Sequence, residues 1–474
     1  MSDSEPIVHL AFLTSAGMGH LNPCLRIAAL FLKHGCRVTL ITPKPTVSHA
    51  ESNLISRFCS SFPNQVTQID LNLIPLDDPN NVNTNDPFWL QYETIRRSVH
   101  LVVPILSSLT PTLLAFIFDV SLISPLVPII EKLSCPSYIY FIAPARMFSF
   151  FAHLSVLAAS NPGANPSSFI GDVVNIPGIS SPIPRSSIPP LLIQPNSLFE
   201  NIFMEDSPKL TKLNGVFINT FEQIEAEALA ALNEGKVVKG LPPVYDVGPL
   251  MACEFEKVDQ GKEGCMRSIM KWLDEHHKGS VVYVCLGNRT TTRREQIKDM
   301  ALGLIECGYS FLWVVKLKVV DREEEEDLED VLGSEMMNKV REKGMIVKEF
   351  VNQMEILGHH AIGGFVNHGG WNSIMEAVWQ GVPILSWAQN GDQKIASKVV
   401  NMSGVGVWPE EWGWGAEEVV KGEKIAKGIK EMMSNESLRV KAREMKEAAR
   451  NALGVGGSCE VILQRQIEKW KKNV

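Results

Sequence analysis

The nine cysteines of this 474-residue sequence are scattered, and no two of them form a C-x-x-C pair. That absence removes both a disulfide framework and a zinc site from consideration and suits a reducing compartment. An excess of basic charge is also missing. The formal net charge of -8 argues against a nucleic-acid partner, which would favour basic patches. Most of the acidic excess sits in "DREEEEDLED" (Asp321 to Asp330), a run typical of a solvated loop. Long hydrophobic runs are missing as well. The most apolar region, Leu106 to Ile130, is broken by Pro111, Asp119, Pro125 and Pro128, whereas a membrane span needs about 20 mostly apolar residues. The N-terminal "MSDSEP" has neither a positive n-region nor an apolar h-region, so no secretory signal is read and a cytoplasmic location is expected. Neither G-x-G-x-x-G nor G-x-x-x-x-G-K-[ST] occurs, which weakens readings as an NAD or ATP enzyme.

What is present is ordinary in bulk and informative in pattern. The length is too great for one core and natural for two or three domains. A 45% hydrophobic and 21% charged composition is that of soluble globular protein. The strand-like "IVHLAFLT" (Ile7 to Thr14) runs into the glycine turn "SAGMGHLNP". "CLRIAALFLKHG" follows with helical spacing and Gly35 as its stop, then the strand-like "RVTLIT". This is a βαβ unit, the building block of parallel sheets. Further strands are expected at "LLAFIFDV" (Leu113 to Val120), "SYIYFIA" (Ser137 to Ala143) and "GVFINT" (Gly215 to Thr220). The Pro- and Gly-rich "KGLPPVYDVGPL" (Lys239 to Leu250) reads as a linker. The pattern then restarts with "SVVYVCLG", "FLWVVK", "GMIVKEF", "IGGFVNH" and "GVPILSW" (Ser280 to Trp387). The expectation is an α/β protein of two facing Rossmann-like domains: residues 1–245, a linker region 246–276, and residues 277–456. Ligands bind beyond the carboxyl ends of such strands, which places the expected site in an inter-domain cleft.

Three loops carry candidate chemistry. His20 sits at the first strand-to-helix turn. A helix N-terminus disfavours a cation by roughly 0.3–1 kcal/mol, so an uncharged imidazole able to act as a base is expected, a cap or packing histidine being the alternative. Asp119 ends an apolar strand. A carboxylate is costly to bury unpaired, and beside a histidine it would orient the imidazole; a solvent-facing strand end is the other reading. In "GGFVNHGGWNSIMEA" (Gly363 to Ala377) a strand runs into a helix start. Ser373 with Glu376 fits a capping box. The same turn also suits an anion that carries a sugar: glycines allow close approach, the helix N-terminus favours phosphate, and Glu376 can accept two ribose hydroxyls. "LGNRTT" (Leu286 to Thr291) adds Asn288 and Arg289 as phosphate donors.

From Phe350 to Gln393 the chain reads "FVNQMEILGHHAIGGFVNHGGWNSIMEAVWQGVPILSWAQNGDQ", which resembles the 44-residue signature box of plant family 1 UDP-sugar glycosyltransferases. "GVFINTFEQIEAEAL", "WLDEHHKGSVVYVCLGN" and the "GMGHLNP" turn are similar to the same family, so the resemblance spans nearly the whole chain. It implies the GT-B fold, with the acceptor held mainly by the N-terminal domain, the UDP-sugar by the C-terminal one, and a final segment, 457–474, returning to the N-terminal domain. Carried over by position, Phe350 stacks on uracil with Val351 and Gln353 beside it. His368, Gly370, Trp371, Asn372 and Ser373 form the diphosphate turn, Glu376 takes the ribose, and Asp392 and Gln393 hold the sugar. His20 matches the catalytic base and Asp119 its orienting carboxylate. Phe350 stands where Trp is usual, Gly369 where Cys is usual and Ala388 where Pro is usual.

"RVTLITPKPTVSHAES", "NDPFWLQYETIRRSVH" with its Asp86-Pro87-Phe88 triplet, "GNRTTTRREQI" and "WGWG" resemble the flavonoid C-glycosyltransferase branch. The resemblance implies an inverting transfer of glucose from UDP-glucose to a carbon of a flavonoid or phloretin-type phenol. O-glucosylation of phenols is the alternative, and an inactive UDP-binding protein the alternative of another class. Phe88, Met147 and Phe148 are candidates for the acceptor pocket. No metal and no bound cofactor are expected. The expected partners are the phenolic acceptor and the UDP-sugar, with no nucleic acid and no membrane insertion, and the chain is expected to work as a monomer.

Overall fold

The computed structural model describes residues 7–76, 86–257, 263–287, 292–316, 327–349, 351–415 and 417–472. The chain divides into two compact units, Met1–Glu256 together with Asn451–Val474, and Lys257–Arg450.

The first unit is built on a parallel sheet. Its strands are β1 (His9–Leu13), β2 (Arg37–Lys44), β3 (Val66–Asn72), β4 (Ala115–Asp119) and β5 (Ser137–Phe141), a small separate hairpin of β6 (Val173–Val174) and β7 (Ile183–Pro184), then β8 (Gly215–Ile218) and β9 (Val244–Asp246). The sheet order is β3-β2-β1-β4-β5-β8-β9. β1, β4, β5 and β8 are buried along their whole length, the near-continuous apolar pattern of strands covered on both faces. β1 pairs with β2 and β4 at once, Leu10 facing Val38 on one side and Ala115 on the other. The order therefore reverses between β1 and β4, which fixes the switch point at which such sheets bind ligands.

The second unit repeats the plan with β10 (Val281–Cys285), β11 (Ser310–Val314), β12 (Gly344–Val347), β13 (Ile362–Asn367), β14 (Ile384–Ser386) and β15 (Gly406–Val407). The order is β12-β11-β10-β13-β14-β15, all neighbours parallel. Its switch point lies between β10 and β13. Helices on both faces close a core that includes Trp313, Trp387, Trp412, Ile425 and Ile429.

The segment boundaries differ from the expectation. Val244–Asp246, in the stretch read as linker, is the seventh strand of the first sheet and pairs with β8 from Val216↔Val244 to Ile218↔Asp246. The helix Glu263–Asp274, also placed in the linker, belongs to the second unit. Proline before and after a strand obscured the first; charged surroundings obscured the second. The first segment ends under a clamp: Arg26 reaches Glu256 with Nε–Oε1 at 2.9 Å and Nη2–Oε2 at 2.7 Å, and Nη1 donates to the Leu250 carbonyl at 2.9 Å. The chain returns to the first unit from Asn451 rather than 457. Its final helix, Ser458–Lys471, puts Cys459, Leu463, Ile467 and Trp470 into the core beside Phe31 and Tyr138. Gln466 Nε2 and Trp470 Nε1 both donate to the Tyr138 hydroxyl, at 2.8 and 3.0 Å.

Candidate active site

At the first switch point, β1 leads into the helix Met18–Lys33 through Gly17. Gly17 has φ +88°, and a Cβ there would lie 2.6 Å from the Phe88 ring, so both backbone conformation and space demand glycine. Its amide donates to buried Glu51 (Oε1, 2.9 Å). This turn delivers His20 in the first helical turn. Across the switch point, Asp119 ends β4 and is fully buried, which removes the solvent-facing reading. His20 Nδ1 and Asp119 Oδ2 are 2.8 Å apart. A carboxylate only accepts, so the proton is on Nδ1 and Nε2 is left as the basic nitrogen. Asp119 Oδ1 accepts from the Ser121 amide at 3.0 Å and the Ser121 hydroxyl at 2.5 Å. Burial pushes the Asp119 carboxyl upward, but His20 and the Ser121 donors outweigh it, so the group stays below the usual carboxylate range. Tyr92 meets the imidazole edge-on at 5.7 Å, and Phe88 lies 6.1 Å away, both on the helix Pro87–Ser98.

Of the three acceptor-pocket candidates, only Phe88 is brought to His20. Met147 and Phe148 are buried in the helix Ala145–Ser160, with Phe148 packed 4.9 Å from Phe141. Both are packed into the interior of the first unit, and neither is in ring contact with His20.

At the second switch point, β13 delivers His368 and the helix Trp371–Gln380 follows, with Gly370 as its cap and no side-chain cap hydrogen bond. The capping-box reading is overturned. Ser373 is the third helical residue, and its hydroxyl accepts from Gln353 Nε2 at 2.9 Å; the same nitrogen donates to Glu376 Oε2 at 2.8 Å. Gln353 starts the short helix Gln353–Leu357 and so ties the two residues together. The helix carrying Ser373 presents its positive end here, which favours an anion. His368 is wedged between two glycines. A Cβ on Gly287, at φ +82°, would lie 2.8 Å from its Nε2, and one on Gly370 would collide with the same nitrogen. Burial lowers the His368 pKa from 6.5 to about 4, so the ring is a neutral donor. Its Nδ1 is buried without a hydrogen-bond partner among the described residues.

Glu376 and Val351 are buried, and Trp371 is 3% exposed; Asn372 follows it in the first turn of the same helix. Asp392 caps the helix Gln393–Ser403 by position. Gln393 folds back on its own loop: its Oε1 accepts from the Gln389 and Asn390 amides at 2.8 and 2.9 Å, and its Nε2 donates to Asn390 Oδ1 at 3.1 Å. It shapes the loop after β14. Asn288, Arg289 and Phe350 lie outside the described residues.

Ser121, Tyr92, Glu51 and Gly287 escaped the sequence reading. Tyr92 follows the Asp86-Pro87-Phe88 triplet by one helical turn, and that spacing was the available signal. The others carry no local signal. Among the described residues one group has metal-ligating types close together, Asp274, His359 and His360. Within it, His359 Nδ1 accepts from the Ala361 amide at 3.2 Å, so Nε2 carries the proton toward Asp274 Oδ1 at 3.0 Å and the His359 ring has no lone pair left for a metal. No helix among the described residues is long and apolar enough to cross a membrane.

Comparison with known proteins agrees with this architecture. A family model described as UDP-glucoronosyl and UDP-glucosyl transferase matches residues 262–442. UDP-glycosyltransferase 708D1 of Glycine max is 71% identical over 100% of this chain and 99% of its own length. UDP-glycosyltransferase CGT of Oryza sativa subsp. indica is 40% identical over 95% and 93%. The crystal structure of LpCGTa in complex with UDP is similar with a TM-score of 0.84 at 37% identity, covering 98% of this chain and 99% of that one. UGT71G1 of Medicago truncatula complexed with UDP-glucose gives a TM-score of 0.84 at 28% identity over 99% and 100%. With two Rossmann-like sheets of the GT-B kind and relatives matched from end to end, the chain belongs to the plant family 1 UDP-glycosyltransferases, close to the C-glycosyltransferase branch.

Proposed function

We propose that this glycosyltransferase moves glucose from UDP-glucose, with inversion, onto a ring carbon of a flavonoid or phloretin-type phenol. The observation that carries the reading is the His20–Asp119 pair, a base whose proton-accepting nitrogen is defined by a 2.8 Å hydrogen bond on the opposite side of the ring. His20 Nε2 takes the phenolic proton and Asp119 stabilises the imidazolium. Electron density passes from the phenolate to the ortho carbon. That carbon bonds to the anomeric carbon as the anomeric C–O bond to UDP breaks, from the face opposite the leaving group. The ring carbon then gives up its hydrogen as a proton and the oxygen regains one, so UDP and one proton are released. The leaving diphosphate is met by the helix end at Ser373 and by the neutral His368, with Asn288 and Arg289 as further donors. Preorganised dipoles of this kind stabilise developing charge, and the scheme draws on no metal. Asp392 and Gln393 are assigned to the sugar, Gln393 through its amide nitrogen. The relatives of the 708 and CGT groups support carbon rather than oxygen as the nucleophile.

The test is incubation with UDP-glucose and a panel of phenols that includes phloretin, with the product bond assigned by NMR. A carbon-linked glucoside that survives acid is expected. An acid-labile product would assign oxygen transfer instead, and absence of UDP release with every phenol would overturn the enzyme reading.

A further inference from the structure

We propose that Arg96 is a positioning residue for the His20–Asp119 pair, acting through Ser121; this rests on the reading of His20 as the acceptor's base. Arg96 is 8% exposed on the helix Pro87–Ser98. Its Nη1 donates to the Ser121 carbonyl and, at 3.1 Å, to Asp206 Oδ2, while Nη2 donates to Glu205 Oε2 at 2.7 Å. Ser121 spends its amide and its hydroxyl on Asp119 Oδ1, which leaves Oδ2 aimed at His20. The residue that orients the carboxylate is thus itself held at its carbonyl by a guanidinium. The same helix sets Phe88 and Tyr92 against the imidazole. One helix therefore reaches both partners, the base by its rings and the carboxylate through Ser121.

Two arguments favour placement over stability as the reason for this cation. A buried ion pair is seldom more stabilising than apolar residues of the same shape, so its presence at the Ser121 carbonyl calls for another cause. Three acceptors around one side chain also require the planar fork of arginine, which a lysine ammonium does not reproduce. Asp206 completes the network by accepting from the Ser124 amide at 2.7 Å, and burial, opposed by Arg96 and that amide, holds its carboxyl up at about 7.

Other titratable groups face the pair. Cys24 of its own helix, Tyr92 beside Arg96 and Tyr140 of β5 all lie close enough to Asp119 to feel its charge. Burial holds all three neutral at working pH. The charged groups around Ser121 are Arg96 and its partners Asp206 and Glu205, and the double variant Arg96→Met/Asp206→Asn removes a cation and an anion together. The change therefore reaches the pair through Ser121, whose release weakens the donors on Asp119 and raises the proton affinity of the pair.

The experiment compares the wild type with Arg96→Met, with Arg96→Met/Asp206→Asn, which leaves no stranded buried carboxylate, and with Ser121→Ala. Two quantities are read. The first is kcat for phloretin with UDP-glucose, expected to fall roughly 10- to 100-fold, the range a small misplacement produces, with the KM for UDP-glucose unchanged. The second is the His20 imidazole titration in 15N-histidine protein without acceptor, its signal identified by its loss in His20→Gln. The midpoint is expected to rise by about half a pH unit or more in all three variants, and Arg96→Lys is expected to recover part of that shift. A purely structural residue would lower yield or melting temperature and leave this midpoint in place. An unchanged midpoint in folded Arg96→Met/Asp206→Asn or in Ser121→Ala overturns the proposal whatever the turnover. A shifted midpoint in an enzyme inactive on every phenol supports the positioning role and sinks the acceptor reading alone.

Discussion

Asp119 keeps its charge inside a fully buried site because three donors converge on it, from His20 and twice from Ser121. Asp119→Asn removes the acceptor that fixes the His20 tautomer. Turnover is expected to drop about 10²–10⁴-fold, the usual worth of a placed base, with UDP affinity by calorimetry unaltered; wild-type turnover in this variant would break the assignment. His368 makes a prediction of opposite chemistry. Its folded-state pKa is about 4 against 6.5 for the free ring. Between those values the unfolded chain takes up a proton that the folded one refuses, so this residue's contribution is whole above pH 6.5 and is lost as pH falls toward 4. Melting curves of His368→Asn should decline less steeply than wild type across that window; parallel curves would contradict it. His20 was legible because a histidine at a glycine turn stands out. Asp119 stood out too, as a carboxylate ending an apolar strand, but that the two meet was not legible from spacing, since about a hundred residues separate them and only the strand order, β1 beside β4, joins them. Ser121 left no trace, because a serine two residues after an aspartate is common in any chain.

At the scale of elements, the donor turn depends on glycines that the side chains around it require. Gly287 and Gly308 both have positive φ, 82° and 79°, but only Gly287 has His368 against its missing Cβ. A left-handed alanine costs roughly 1–2 kcal/mol at either position. Gly308→Ala is therefore expected to lower the melting temperature alone, and Gly287→Ala to weaken UDP binding as well, by about tenfold or more for a displaced ring with its charge-assisted contacts. Equal UDP affinities in the two variants would dismiss the wedge. The strands that the sequence revealed, such as His9–Leu13 and Ile362–Asn367, are the ones buried on both faces. Those it hid are at or beside sheet edges: β3 is half exposed and polar, β15 has two residues, and β9 sits among prolines. The capping box failed for a related reason. Serine and glutamate at that spacing fit a helix start, but the helix began at Trp371, three residues before the start that Ser373 as its cap would require.

For the whole molecule, the chain's return to its first unit is a stability device. Trp470 is 1% exposed, packs on Phe31 and Tyr138 at 5.4 and 5.3 Å, and shares the Tyr138 hydroxyl with Gln466. Trp470→Ala is expected to cost about 3–5 kcal/mol, the range for a fully buried aromatic, read as a lower urea midpoint of the first unit's transition. A loss under about 1 kcal/mol would place the helix among surface elements. The return itself was legible only through family resemblance, since nothing in "CEVILQRQIEKW" says which sheet it covers. It has a consequence for biosynthesis. Translation completes every residue of Lys257–Arg450 before the ribosome reaches Trp470. The contiguous unit can therefore assemble while its older neighbour still has the Phe31 and Tyr138 faces uncovered. A nonsense codon that removes only the closing helix would strand that half in an adhesive state, so the shortest truncations of this polypeptide should act as chaperone substrates and be cleared.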